Sequence, residues 1–262
     1  MDRREFITAG MAAGLMPLGV LAAAKSQGAG TQWLYELRKY HMHVGSKQAQ
    51  LNEFLADAAI PAYNRIGVEP VGAFTAMYGP NQPTLYVLLP YPSPDVFVSA
   101  TDRLLADKQF RQAGREFLNA PLSDPGYVRV ENWLLQAFAG MPQIEVPPMT
   151  KTNSGRIFEL RTYESHSVIA GEKKVEMFNN GEIAIFKKTG LRPVFFGQTL
   201  VGERLPNLTY MVAFEDMNQR NERWDVFRND PDWEKMSSDP QYADTVSNIS
   251  DYILRPTSYS QI

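Results

Sequence analysis

The chain has 262 residues, 44% apolar and 21% charged, with a formal net charge of −3, values ordinary for a soluble globular protein able to bury a core. No lysine or arginine run stands out, so nucleic acid is not an expected partner, because phosphate binding needs a concentrated basic face. There is no cysteine, which excludes disulfides, thiolate catalysis and cysteine-ligated metal.

Residues 1–24 read as an export signal rather than as fold. Asp2-Arg3-Arg4-Glu5-Phe6-Ile7 has the grammar of the twin-arginine signal. A weakly apolar stretch rich in Gly and Ala follows, interrupted by Pro17, and Ala22-Ala23-Ala24 offers a small-x-small cleavage site. A retained membrane anchor is the rival, against which the weak apolarity counts. The expected location is the periplasm, or another exported one reached by the twin-arginine route, with no membrane association once the signal is removed.

After a short leader, residues 31–41 read as a strand. Alternation sets Trp33, Tyr35 and Leu37 on one face and Leu34, Glu36, Arg38 and Tyr40 on the other. Residues 46–66 carry Leu51, Phe54, Leu55 and Ala58 at helical spacing. Pro61 is expected to kink that helix, and Gly67 stands where a C-terminal cap belongs. Strands are expected at 68–78 and 84–89 around a turn-rich loop, a helix broken near Ala106-Asp107 within 93–119, and a strand at 127–138. The order β-α-β-β-α-β is the ferredoxin-like split motif. Residues 139–155, with Pro142, Pro147, Pro148 and Gly155, read as a linker. The same order then returns: a strand at 156–164, a helix at 168–189 ending at Gly190, and strands at 191–201 and 207–214. Helices at 217–227 and from Asp230-Pro231, and a strand at 249–255, complete it.

That return is a sequence repeat. IFELRTYESH at 157–166 echoes LYELRKYHMH at 34–43, with Glu36/Glu159, Leu37/Leu160, Arg38/Arg161, Tyr40/Tyr163 and His43/His166 identical at an offset of 123. The offset persists through Gly67/Gly190, Pro70/Pro193, Pro83/Pro206, Leu85/Leu208, Asp107/Asp230 and Phe110/Trp233. Two copies of one module, residues 31–138 and 156–257, are therefore expected.

Glu159-Leu160-Arg161-Thr162-Tyr163, followed by Trp224, Phe227, Asp230-Pro231 and Trp233, resembles the NIPSNAP family. That family opens with E-L-R-x-Y and carries a later W-x-x-F-x-x-D-P-x-W segment. The first copy keeps the opening motif but has Thr101, Leu104, Lys108 and Phe110 where the second motif would put Trp, Phe, Pro and Trp. The resemblance implies the dimeric α+β barrel superfamily. The expected fold is thus α+β, two tandem ferredoxin-like modules pairing as a barrel within one chain. The superfamily holds cofactor-free oxygenases, haem-handling enzymes, isomerases and ligand-binding proteins, so the fold does not settle the function.

The opening strands carry the candidate site. Tyr35, Leu37, Phe158 and Leu160 are expected to pack under the helices, which turns Glu36, Arg38, Tyr40, Glu159, Arg161 and Tyr163 inward or toward the seam. Buried charges must be paired, and Glu and Arg two residues apart on one strand face can pair. The functional reading is a polar cavity in which Arg recognises an anionic ligand and Tyr or Glu handles protons. The structural alternative is an ion-pair network that registers the two sheets. His43 and His166 join the candidate set as pseudo-symmetric mates; with His41 they are the only histidines. No ligand cluster completes a metal site around them, so none is expected. Trp224, Phe227 and Trp233 read as core packing or as an aromatic lid. No serine-hydrolase, Walker or dinucleotide-binding motif is present.

The leading expectation is an exported protein that binds a small anionic or aromatic molecule in the barrel. The alternatives are a cofactor-independent oxygenase or isomerase and a structural or interaction protein with a filled barrel. No cofactor, catalytic residue or active copy is identified, and homo-oligomers are left open. Binding requires a cavity of about 300 Å³ or more; a solid barrel favours the structural reading.

Overall fold

The structure, a computed structural model, describes residues 31–79, 82–152 and 155–262. The expected export signal lies outside them. The first half runs β1 (Leu34–His41), α1 (Lys47–Glu53), a π-helical stretch (Phe54–Ala59), α2 (Ile60–Arg65), β2 (Gly72–Ala76), β3 (Thr84–Tyr91), α3 (Pro94–Ala106), α4 (Lys108–Ala113), α5 (Arg115–Leu118) and β4 (Arg129–Ala137). A short α6 (Pro148–Thr152) interrupts the stretch read as an unstructured linker. The second half runs β5 (Ile157–Glu164), α7 (Val168–Met177), a π-helical stretch (Phe178–Glu182), α8 (Ile183–Lys188), β6 (Arg192–Val201), β7 (Asn207–Phe214), α9 (Met217–Arg228), α10 (Pro231–Ser237) and β8 (Asn248–Pro256).

Local signals account for most of these ends. Asp107 separates α3 from α4 by accepting from the backbone N–H groups of Gln109 and Phe110, and Asp230 caps α10 at the repeat-related place. Gly67 and Gly190 stop the first helical run of each half with φ of +82° and +81°, a left-handed turn that favours glycine. Pro61 does not break its helix. It falls in the first turn of α2, where a missing N–H costs little. The π-helical widening before it recurs in the second half, where Ala184 stands in place of Pro61, so proline is not its cause.

The eight strands close into an antiparallel barrel in the order β1-β3-β2-β8-β5-β7-β6-β4. Each half contributes four neighbours, β4-β1-β3-β2 and β8-β5-β7-β6, and the seams are β2 with β8 and β4 with β6. No sheet edge is left open, which removes the usual liability of unpaired strands. Helices cover the outside of both halves, giving three apolar layers: helix on sheet, barrel interior, sheet on helix.

The strand faces are reversed from the sequence expectation. Tyr35, Leu37, Phe158 and Leu160 point into the barrel with Phe74, Leu88, Phe195, Met211 and Ile262. Glu36, Arg38, Tyr40 and their mates lie outside it, under the helices. Two physical reasons favour this arrangement. An eight-stranded barrel interior is just wide enough to be filled by side chains, and among the described residues the helices contribute to its core only Met149 of α6, whose uncharged thioether is no more than a weak acceptor. The sheet–helix layer can supply them, since α9 brings Arg220 and Trp224 onto Glu159. The barrel is therefore filled, and the ligand site expected inside it is absent among the described residues; a gap of only about 80 Å³ lies at its mouth.

Candidate ligand cavity

The same strand motif has two different fates in the two halves. In the second half, Glu159 is fully buried. It accepts from Arg161 Nη1 at 3.1 Å, Arg220 Nε at 3.0 Å, Arg220 Nη2 at 2.7 Å and Trp224 Nε1 at 2.6 Å. The Trp224 ring lies 4.8 Å from the Arg161 guanidinium, and Tyr163 accepts a hydrogen bond from the Tyr210 hydroxyl at 2.8 Å. Lys174 pairs with Glu182 at 2.8 Å among the rings of Phe178, Tyr163 and Trp233. Phe186, Phe196 and Phe227 complete a contiguous aromatic mass. Burial pushes Glu182 above the usual carboxylate range despite its lysine partner, and it raises Tyr163 and Tyr210 as well.

In the first half, Glu36 is satisfied differently. Arg38 donates to it through Nε at 2.7 Å and Nη2 at 2.9 Å, a two-point pairing. Tyr91 donates its hydroxyl at 2.9 Å and Asn132 its amide at 3.0 Å. Neither donor is a bulky ring on α3, and the space above Arg38 stays open. A cavity of about 310 Å³ lies between sheet and helices. Its polar lining is Arg38, Tyr40, Tyr63, Thr101, Tyr127 and Asn132, and the rest of its wall is apolar.

The repeat explains the difference position by position. Thr101 stands for Trp224, Leu104 for Phe227, Val87 for Tyr210, Ala73 for Phe196, Leu55 for Phe178 and Ala59 for Glu182. Strand pairing supports the alignment independently, since Arg38 faces Val87 across β1 and β3 as Arg161 faces Tyr210 across β5 and β7. Side chains that fill one half are missing from the other, and their absence is the cavity.

Arg38 is the only permanent charge on the lining. Burial works against its charge, but Tyr63, Tyr40 and Glu36 outweigh that, and its pKa sits well above the ordinary arginine value. Burial also pushes the Tyr63 phenol up, so it stays protonated across neutral pH, with its ring 5.7 Å from the Arg38 guanidinium. The lining includes no carboxylate and no imidazole.

Of the candidates expected from the sequence, Arg38 and Tyr40 line the cavity and Glu36 anchors Arg38 behind it. Glu159, Arg161 and Tyr163 belong to the filled second half. His43 and His166 lie exposed beyond their strands. His41 is buried and its Nε2 lies 2.9 Å from Glu131 Oε2, away from the cavity. Among the described residues no group of three or more His, Asp or Glu could hold a metal ion. Tyr63, Thr101, Tyr127 and Asn132 were not singled out by sequence reasoning. Thr101 had a signal, its replacement of a motif tryptophan, but that reads as divergence until the facing of α3 is known.

The sequence matches the NIPSNAP family model twice, over residues 35–121 and 158–261. No curated protein matches it. Among solved structures, a protein of Lactobacillus acidophilus provisionally named a monooxygenase aligns at TM-score 0.57 and 8% identity, over 86% of this chain and 94% of that one. A Fusobacterium nucleatum protein with the same provisional name aligns at TM-score 0.55 and 11% identity, over 86% and 93%. An uncharacterised NIPSNAP-like domain protein of Burkholderia xenovorans aligns at TM-score 0.36 and 23% identity, over 40% of this chain and 88% of that one.

Proposed function

The chain belongs to the NIPSNAP family, and from that premise we propose that it binds a small, largely apolar molecule in the first-half cavity while the second half serves as its packed counterpart. The observation that carries this reading is the repeat-related exchange of large for small side chains around Arg38. A volume of about 310 Å³ reaches the lower bound of small-molecule pockets, and a filled barrel does not count against a site outside it. In this reading each half is a ferredoxin-like unit, supported by the shared strand order. The protein reaches the periplasm by the twin-arginine route, supported by the Arg3-Arg4 signal grammar. Native mass spectrometry with an absorbance spectrum on gently purified, exported protein tests all of this. A stoichiometric extra mass on a chain shortened near Ala24 is expected; a clean apo mass removes tight binding, and an uncleaved chain removes the export route.

A cofactor-independent oxygenase or isomerase at the same cavity is the second reading, favoured by Arg38, whose charge would stabilise an enolate or phenolate. It would extend to this chain the monooxygenase names of two fold neighbours, which at 8% and 11% identity share the fold alone. Against it, the lining supplies no general base, since Glu36 is held by Arg38, Tyr91 and Asn132. Oxygen uptake on adding an electron-rich phenol, lost in Arg38→Met, would favour it over simple binding.

A further inference from the structure

Resting on the reading of the cavity as a binding site, we propose that its ligand is a planar fused-ring aromatic bearing a hydroxyl, with the ring lying on a face of the Arg38 guanidinium and the hydroxyl bonded to Tyr40. The second half carries the same two receiving groups with their places already taken from within the chain. There Trp224 covers Arg161 at 4.8 Å, and the Tyr210 hydroxyl donates to Tyr163 at 2.8 Å. In the first half Arg38 and Tyr40 remain, with the Tyr63 ring 5.7 Å from the Arg38 guanidinium, but Thr101 and Val87 stand where the indole and the phenol would be.

Two further observations point the same way. Tyr40 is 7% exposed and lines the cavity. It stands where Tyr163 accepts from Tyr210 in the second half, so a ligand hydroxyl would supply the bond that Val87 cannot. Arg38, for its part, spends Nε and Nη2 on Glu36. That side of the fork is occupied, while Nη1 and the flat face remain, and the face is the part that Trp224 takes on Arg161 in the second half. That face suits a π-system. The ring expected there is the ligand's counterpart of Trp224. At about 310 Å³ the cavity suits roughly two to three fused rings.

Calorimetric titration with 2-naphthol, naphthalene and decahydro-2-naphthol separates the contributions. The full-length protein is expected to bind 2-naphthol about ten-fold more tightly than its saturated counterpart, the scale of a desolvated cation–π contact. The margin over naphthalene is expected to be about five-fold, the scale of one neutral hydrogen bond. Tyr40→Phe should erase the margin over naphthalene and leave naphthalene itself unchanged. Thr101→Trp, which restores the ring that fills the second half, should abolish all three while circular dichroism and thermal melting show the fold kept. If that variant does not fold, Val87→Tyr takes its place. Equal binding of the saturated compound, or a hydroxyl margin that survives Tyr40→Phe, overturns the aromatic-hydroxyl assignment while the cavity reading stands. If no probe binds but the purified protein carries a ligand mass, the assignment again falls alone. Binding that persists undiminished in Thr101→Trp places the site elsewhere and overturns both.

Discussion

Glu36 and Glu159 hold the same place in the repeat, and the side chains that satisfy them differ in bulk; that difference is where the two halves part. Glu159 is clamped by Arg161, Arg220 and Trp224 with no exposure. Removing the carboxylate leaves two guanidinium groups facing a void. Glu159→Ala is expected to cost about 3–5 kcal/mol, as other broken buried pairs do, read as a lower urea midpoint at constant m-value. The Lys174–Glu182 pair makes a second case. Burial raises Glu182 in the folded state above its ordinary value of 4.5, so the native state keeps a proton that the unfolded chain has released. The contribution of Glu182 to stability is therefore fullest below about pH 4.5, falls as pH rises to the native pKa, and is flat beyond it. Denaturant titrations across that window should show the decline in the natural protein and its loss in Glu182→Gln. Replacing both partners with apolar residues of similar volume, Lys174→Met with Glu182→Leu, is expected to be neutral or to stabilise by about 1–4 kcal/mol. The candidate residues Arg38 and Tyr40 were legible in the sequence because the motif repeats. Their neighbours Tyr63 and Asn132 were not, because they come from α2 and β4 and only the folded sheet brings them to β1.

At the scale of elements, punctuation was readable and facing was not. The helix break at Asp107, the glycine stops and the strand limits of β7 follow from local chemistry that acts within a few residues. Gly67→Ala meets nothing within 4 Å, so its cost is backbone strain alone, about 1–2 kcal/mol. Gly190→Ala meets the same strain and also Arg223 at 3.3 Å, and is expected to cost more. Thermal melts of the two variants check the order. Alternation along β1 and β5 was right, but which face turned inward was reversed. Both faces carry large side chains, and the choice is made by what stands opposite: seven other strands inside, and helices with arginine and tryptophan outside. That is a property of closure, and no single strand contains it.

For the whole molecule, closure makes the halves interdependent. Residues 31–138 alone would expose the β2 and β4 edges together with Tyr35, Leu37 and Phe74 from the barrel interior. Expressed separately, that segment is expected to sediment as a dimer or larger species, or to aggregate, and not as a folded monomer. The intact chain should unfold in one transition, with circular dichroism and tryptophan fluorescence coincident. The tandem repeat made two copies of one module legible in the sequence, and the family resemblance implied that they pair as a barrel. The join between the copies has a consequence of another kind. In a barrel built from two identical chains every substitution is made twice, so a residue changed to shape a binding site also alters the mirror-related packing. Here one gene supplies both copies, and each position can drift alone. The first half holds a cavity around Arg38 where the second holds an aromatic filling, so a change at a cavity residue leaves the packing of the other half untouched.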